Sequence, residues 1–344
     1  MSQVPEASTP PSDPHAQGGV AIRKIDHASL LAAAQRLAES SARGDKDAGR
    51  RFLTAAKNHG IDLEHFWSSC EADTGRVREV ALGIRGSGKT AMFFTSTPSG
   101  RSAEDELGRV IDAVCQDLQS LSGDETRRVC LAQTLLSPGE RAAARSFTRG
   151  GFHELARLAY LGRPFPIPGE FEGFTPWQLP EGIGVRSMVE LGGENEQTQY
   201  RLLTGLTRSY EETMDCPELC TLRTPEDVLD SHRSVRTYDP RWWWIIELEG
   251  EPEGAMLFTI CPDQGDAELV YLGLSPRLRG KGLARILMKS GMRELAFNSA
   301  RVKGRTRARL TCAVDLNNEP ARRLYRGLGF QMTAERVAMV RALS

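Results

Sequence analysis

The sequence predicts an α/β chain, a mixed sheet with helices packed on it, built twice in tandem. Three observations predict it. Runs of alternating and continuous apolar residues follow one another as strands and then as strand–helix–strand–helix, in each half of the 344 residues. A spaced pattern recurs: Ala143, Phe147, Gly151 and Phe152 return as Ala321, Tyr325, Gly329 and Phe330, an offset of 178 residues. Between the halves lies a Pro-rich stretch, Gly162 to Gly182, which reads as a linker. The predicted units are a tail over 1–20, a first domain over 21–163, a linker over 164–182 and a second domain over 183–344.

The elements follow from the patterns in order. Leu30, Leu31, Ala34 and Leu37 share one helical face, and a second helix is expected from Phe52 to Trp67. Strands are expected at Val80–Ile84 and Ala91–Thr95, then a long amphipathic helix from Ala103 to Leu121. VCLAQTLL, GERAAARSFTRGGF and ELARLAYL read as strand, helix and strand. In the second half GVRSMVEL reads as a strand, and TQYRLLTGLTRSYE and TPEDVLDSHRS as helices. WWWIIELEG, GAMLFTICP and AELVYLGLS read as strands. A helix from Gly282, the strand ARLTCAVD, the helix EPARRLYRGL and the strand ERVAMVRAL close the chain. Trp242 and Trp244 would share one strand face, in the core.

Composition excludes several classes. Apolar residues are 40% and charged residues 26%, enough for two buried cores. A net charge of −1 calls for neither nucleic acid nor membrane. No apolar run nears the roughly 18 residues of a membrane span. The first 20 residues lack the basic and apolar regions of a signal peptide, and their Pro, Ser and acidic content predicts a disordered tail. Seven scattered cysteines predict reduced thiols and a cytoplasmic location. Cys216 and Cys220 are joined by no other ligand cluster and the histidines are dispersed, so no metal is predicted.

One motif points elsewhere. GIRGSGKT, Gly83 to Thr90, fits the phosphate-binding pattern G-x-x-x-x-G-K-[ST]. That loop needs a helix behind it, whose N-terminus helps hold the phosphates. TAMFFTSTPSG follows instead, rich in strand and turn formers. A β-hairpin with its tip at Arg85 to Lys89 is the expectation, and a P-loop NTPase the competing reading.

AELVYLGLSPRLRGKGLARILM, from Ala267, carries the chemistry. A strand runs into a glycine-bearing turn, and a helix opens near Gly282. Glycines admit a diphosphate close to the backbone, and the N–H groups of a helix start face it. Arg279 and Lys281 add charge there. With NEPARRLYRGLGF downstream, RGKGLA after a strand resembles the acetyl-CoA signature of the GNAT family of N-acetyltransferases. The resemblance covers Gly184 to Leu343, and the first half resembles a degenerate copy. The tandem layout, and Glu268 four residues before Leu272, are similar to the mycothiol synthase subfamily.

The resemblance implies two tandem GNAT-like domains, acetyl-CoA as co-substrate and direct transfer to an amine. Leu272, Gly273 and Leu274 would pair with the pantetheine arm, and the Leu274 N–H would polarise the thioester carbonyl. Arg279, Gly280, Lys281, Gly282, Leu283 and Ala284 would hold the pyrophosphate, and Asn318 would contact CoA. Tyr325 would reach the sulfur and protonate the leaving thiolate, while Glu268, on the strand beside the cofactor, is the candidate base. Tyr210, Glu211, Glu212 and Asp215, between two helices, could bind a cationic acceptor, either a small amine or a protein N-terminus. The first copy has TPSGRSAEDELG where the glycine loop should be, and Phe147 where the tyrosine should be. It is expected to be structural. A non-catalytic acyl-CoA sensor is the alternative.

Overall fold

The computed structural model describes residues 19–39, 44–235, 237–260, 266–298 and 308–343, so most of the predicted tail lies outside the described residues. The first copy contains β1 (Val20–Lys24), α1 (Leu30–Ala38), α2 (Ala48–Asn58), β2 (His65–Glu71), β3 (Val77–Gly86), β4 (Thr90–Thr95), α3 (Arg101–Gln119), β5 (Leu131–Leu136), α4 (Arg141–Arg149) and β6 (His153–Pro164). The second contains β7 (Ile183–Ser187), α5 (Glu196–Tyr210), α6 (Leu219–Leu222), α7 (Pro225–Ser234), β8 (Trp243–Leu248), β9 (Glu251–Ile260), β10 (Ala267–Leu274), α8 (Leu283–Asn298), β11 (Arg309–Asp315), α9 (Glu319–Arg326) and β12 (Gln331–Ala342).

Three details differ from the sequence reading. The helix expected to reach Trp67 stops at Asn58. Gly60, at φ +63°, turns the chain, and Ile61 N–H bonds to Ala56 O while Gly60 N–H bonds to Lys57 O. That is a Schellman stop, and His65–Glu71 then runs as a strand. The short strand β1 was not expected; it pairs with β2 along its whole length. Trp242 sits in a 3-10 turn ahead of β8, so it does not share a strand face with Trp244, although Trp242, Trp243 and Trp244 are each buried.

Among the described residues the twelve strands form one sheet in the order β1-β2-β3-β4-β5-β12-β6-β11-β10-β9-β8-β7. Adding six to each strand of the first copy reverses this order, so the copies are related by a pseudo-two-fold through the β12–β6 pair. Each copy has given its last strand to the other. β12 lies between β5 and β6, and β6 lies between β12 and β11. The cores follow the exchange: Met339 and Leu343 pack with the first copy's core, and Ala159 and Leu161 with the second's. Side chains repeat it. Arg341 donates to Gly150 O (2.6 Å), and Arg163 donates to Leu328 O (2.7 Å), each capping the other copy's helix end. Arg157 pairs with Glu335 across the axis, at the same separation of 178 residues.

The Pro-rich stretch is packed. Phe171 is buried in the second core, Trp177 N–H donates to Ser290 Oγ (2.9 Å), and the Trp177 ring lies 5.6 Å from that of Trp244. GIRGSGKT is a hairpin: Gly86 pairs with Thr90 around a Ser87-Gly88-Lys89 turn. Its tip docks on α7. Ser231 Oγ donates to Ser87 O (2.9 Å) and Arg223 donates to Gly88 O (3.1 Å). A Cβ on Gly88 would lie 1.8 Å from Asp227 O, so only glycine fits. Lys89 faces Glu125 (3.4 Å) and Asp227 (3.9 Å). The loop has no room for a phosphate and no helix behind it.

Candidate active site

β10 and β11 run parallel but pair only at Ala267–Leu310 and Glu268–Thr311. Beyond these pairs they part. The pairing of β10 with β9 shifts register between Leu269 and Tyr271, a bulge that turns β10 away. β11 stays with β6, which pairs with its other edge through all seven residues. The gap is a cavity of about 700 Å³. Its walls are Leu269–Leu274 on one side and Ala313 and Val314 on the other. α5 can approach the sheet here because Gly205 lies on Gly254, where a Cβ would be 2.7 Å from the carbonyl.

One end of the cavity is the turn into α8. Gly280 (φ +75°) and Gly282 (φ +73°) are left-handed, and a Cβ on either would meet nothing within 4 Å. Among the described residues, the N–H groups from Gly280 to Ala284 make no backbone hydrogen bond outside the helix. The turn is thus an open cradle of donors at a helix start. Arg279, expected beside the pyrophosphate, lines the cavity and is also engaged within the protein. Its guanidinium donates to Leu274 O (2.8 Å), Glu212 O (3.0 Å) and Ser209 O (3.0 Å), which ties the turn to the segment after α5.

That segment, residues 211–218, roofs the other end. Asp315 N–H donates to Asp215 Oδ1 (2.8 Å), and Cys216 N–H donates to Asp315 Oδ2 (3.3 Å), so roof and β11 hold each other. Tyr325, on α9, faces the cavity and is 6% exposed; burial pushes its hydroxyl well above the usual phenol range. It therefore keeps its proton at neutral pH. Burial likewise keeps the thiols of Cys312 and Cys216 protonated, the latter pushed up to about 12. Neither is a ready nucleophile.

Of the residues singled out from sequence, Leu272, Gly273, Leu274, Arg279, Gly280, Gly282, Leu283, Ala284, Asn318, Tyr325, Glu212 and Asp215 line the cavity. Four lie outside its lining: Glu268, one residue before it begins, Lys281, Tyr210 and Glu211. Tyr210 packs edge-on to Tyr271 instead. The sequence reading missed Tyr271, Ala313, Arg285 and Arg323, which also line it. Arg285 and Arg323 stand on two helices that converge only in the folded chain, so no spacing links them. Among the described residues no group of His, Cys, Asp and Glu could hold a metal ion.

Beneath Tyr271 lies His232, its ring 5.4 Å away and its Nε2 without a partner. Burial, with Arg223 adding, pushes its pKa down to about 4 from 6.5. Between these values the unfolded chain takes up a proton that the folded chain refuses. Stability should therefore fall as pH drops from 6.5 towards 4. The loss should be on the order of 3 kcal/mol. Melting curves against pH should show this acid limb flattened in His232→Phe; an unchanged limb would place the proton elsewhere.

The model of the acetyltransferase (GNAT) family matches residues 206–330, a stretch that contains every residue lining the cavity, from Ser209 to Tyr325. The C-terminal half carries a GNAT acetyltransferase domain. The chain is also similar to mycothiol acetyltransferases. That of Kytococcus sedentarius is 28% identical over 171 residues, 49% of this chain and 52% of the relative. That of Paenarthrobacter aurescens is 25% identical over 197 residues, 55% of this chain and 54% of the relative. The match thus spans about half the length of these relatives. A crystal structure of a GCN5-related N-acetyltransferase from Sphaerobacter thermophilus superposes with a TM-score of 0.54 at 19% identity, over 94% of this chain and 96% of that one. It shows a fold shared over nearly the whole of both chains.

The first copy of the GNAT unit has its own gap. β4 and β5 pair only from Thr90 to Met92, and a cavity of about 540 Å³ opens beyond. Among the described residues a single left-handed glycine, Gly100, opens α3 where the second copy has two before α8. The start of α3 is instead crossed by Glu104, whose carboxyl Arg145 and Arg149 of α4 hold down at about 2. A carboxylate already sits near the helix start that the second copy leaves open.

Proposed function

We propose that the C-terminal GNAT domain transfers an acetyl group from acetyl-CoA to an amine by direct attack, with no acyl-enzyme. One observation carries this reading: the gap between β10 and β11 runs from a cradle of unpaired N–H groups at Gly280–Ala284 to a buried, protonated Tyr325. The cradle fits a diphosphate, since it offers donors and open space at a helix start. The free edge of β10 from Leu269 to Leu274 suits an extended amide-bearing arm, which would add to it like a strand. Asn318, N-cap of α9, would touch CoA from the opposite wall. Lys281 is exposed and would act only as charge beside the phosphates. Tyr325 would give its proton to the leaving thiolate, and the carboxylate expected from sequence to accept the amine's proton is Glu268. Cys216 and Cys312, held as thiols, supply no competing nucleophile. The acceptor is a small amine or a protein N-terminus, and the relatives' name makes a mycothiol-related amine the first to try.

The test is thiol release from acetyl-CoA by the whole chain, with and without a panel of amines. Amine-dependent release that Tyr325→Phe lowers at least tenfold is the expected result. Binding of acetyl-CoA without release by any amine would replace this reading with that of a sensor. Tight Mg-ATP binding lost in Lys89→Ala would overturn it.

A further inference from the structure

We propose that Asp215 is the base that takes the proton of the incoming ammonium. The inference rests on the acetyl-transfer reading above. Asp215 lines the cavity from the roof, opposite the β10 edge. Its Oδ1 accepts the Asp315 N–H at 2.8 Å, which fixes the carboxyl and leaves Oδ2 for a substrate. The cavity reaches it, so the residue is exposed, yet protein surrounds the carboxyl on its other sides. Burial raises its pKa, the Asp315 amide works the other way, and the Asp315 carboxylate raises it further. Among the described residues it has no ion pair, in a protein where most buried carboxylates have an arginine: Glu79 has Arg36, Glu106 has Arg78 and Glu247 has Arg186 and Arg201. A carboxylate partly screened from water without a counter-charge is disfavoured, and a cationic substrate would relieve that.

The groups that face Asp215 leave it this role. They are Tyr271 from β10, Cys312 and Asp315 from β11, Tyr325 from α9, and Cys216 and Cys220 from its own side. Burial holds the two phenols and three thiols neutral, so Asp315 is the one other charge among them, and it is negative. The surroundings of Asp215 are therefore anionic, although Arg279, Arg285 and Arg323 also line the cavity, and its base is better matched to an amine than a fully solvated carboxylate. Glu268 lies on the same strand as the cavity wall but outside the lining, and its charge acts on Tyr160 and Cys312.

The protons balance. Asp215 takes one proton from the ammonium, and the freed lone pair forms the N–C bond to the acetyl carbonyl. The C–S bond breaks. The second proton lost by the nitrogen replaces the one that Tyr325 gives to the thiolate, and Asp215 returns its proton to water. One acetamide, one thiol and one proton result.

Asp215→Asn tests this in the whole chain, because its amide oxygen can still accept the Asp315 N–H. Acetyl-CoA affinity should stay within about threefold, while amine-dependent thiol release falls by roughly a hundredfold and loses its acid limb. At pH 8 or so the variant should melt slightly higher than the wild type, because it no longer holds a charge that partial burial and the Asp315 carboxylate disfavour; the gap should close as pH falls towards the ordinary carboxylate pKa near 4. Release within about threefold of wild type, with the acid limb intact, overturns the proposal, as does loss of that limb in Glu268→Gln but not in Asp215→Asn. If the wild type binds no acetyl-CoA or releases no thiol, the parent reading fails instead. The melting comparison then decides: equal curves at every pH overturn a desolvated Asp215, and a gap that closes with acid supports it.

Discussion

Expressed as residues 183–344 alone, the C-terminal half is expected to form no soluble acetyl-CoA-binding protein, although it carries every residue that lines the cavity. The missing piece is β6. It pairs with β11 along Arg309–Asp315 and with β12 along most of its length. Its Ala159 and Leu161 lie in the second core, Arg157 O accepts the Leu316 N–H (2.8 Å), and Arg163 caps α9 at Leu328. Each lost ladder bond costs about 0.5–1.5 kcal/mol, and each buried aliphatic side chain re-exposed about 1.5–3 kcal/mol. Such losses together rival the roughly 5–15 kcal/mol that hold a domain folded. The fragment would also bare the edges of β11 and β12, which invites aggregation. Co-expression with residues 1–182 should restore solubility and acetyl-CoA binding, because the exchanged strands then pair between chains. Size-exclusion chromatography and melting curves with acetyl-CoA check both parts. A soluble, monomeric, binding-competent fragment would mean that the exchange is dispensable.

Gly282→Asp is expected to weaken acetyl-CoA binding by about a hundredfold or more, with a loss of fold stability of only about 1–2 kcal/mol. The small stability cost follows from φ +73° at a position with no atom within 4 Å of a new Cβ. The large binding cost follows from charge: a carboxylate would occupy the helix start where the diphosphate is proposed to sit. Lys281→Ala is the control. Lys281 is exposed and off the cavity wall, so its loss should cost less than about tenfold. Calorimetric titration separates the two, and equal affinities for Gly282→Asp and wild type would move the phosphate end elsewhere.

The sequence by itself determined the elements, the duplication and the chemistry of one turn. Helix and strand periods are local, and they placed α3, α5, β10, α8 and α9 within a few residues. The repeat of Ala143 to Phe152 at Ala321 to Phe330 announced two copies of one plan, and the missing α3-like helix behind GIRGSGKT was enough to read a hairpin. RGKGLA after a strand marked the cradle because glycines and a helix start carry their own meaning. Short elements were less legible: β1 has only five residues, and the end of α2 depends on how Gly60 closes its last turn.

Only the tertiary structure decided which side chains meet. Nothing local tells β6 to leave its own copy and β12 to enter it, because either pairing satisfies the same strand pattern; the two-fold arrangement chooses by burying Met339 and Leu161 in opposite cores. The same holds at the cavity. Arg279 reads as a phosphate ligand in sequence, yet three carbonyls converge on it in space. Asp215 reads as one acid in a surface loop, yet the fold carries it over β11, fixes one oxygen on the Asp315 N–H and leaves it among neutral phenols and thiols beside the Asp315 carboxylate. Periodicity encodes which face of an element is buried, but a carboxylate's partners and its surrounding dielectric are set by residues a hundred positions away.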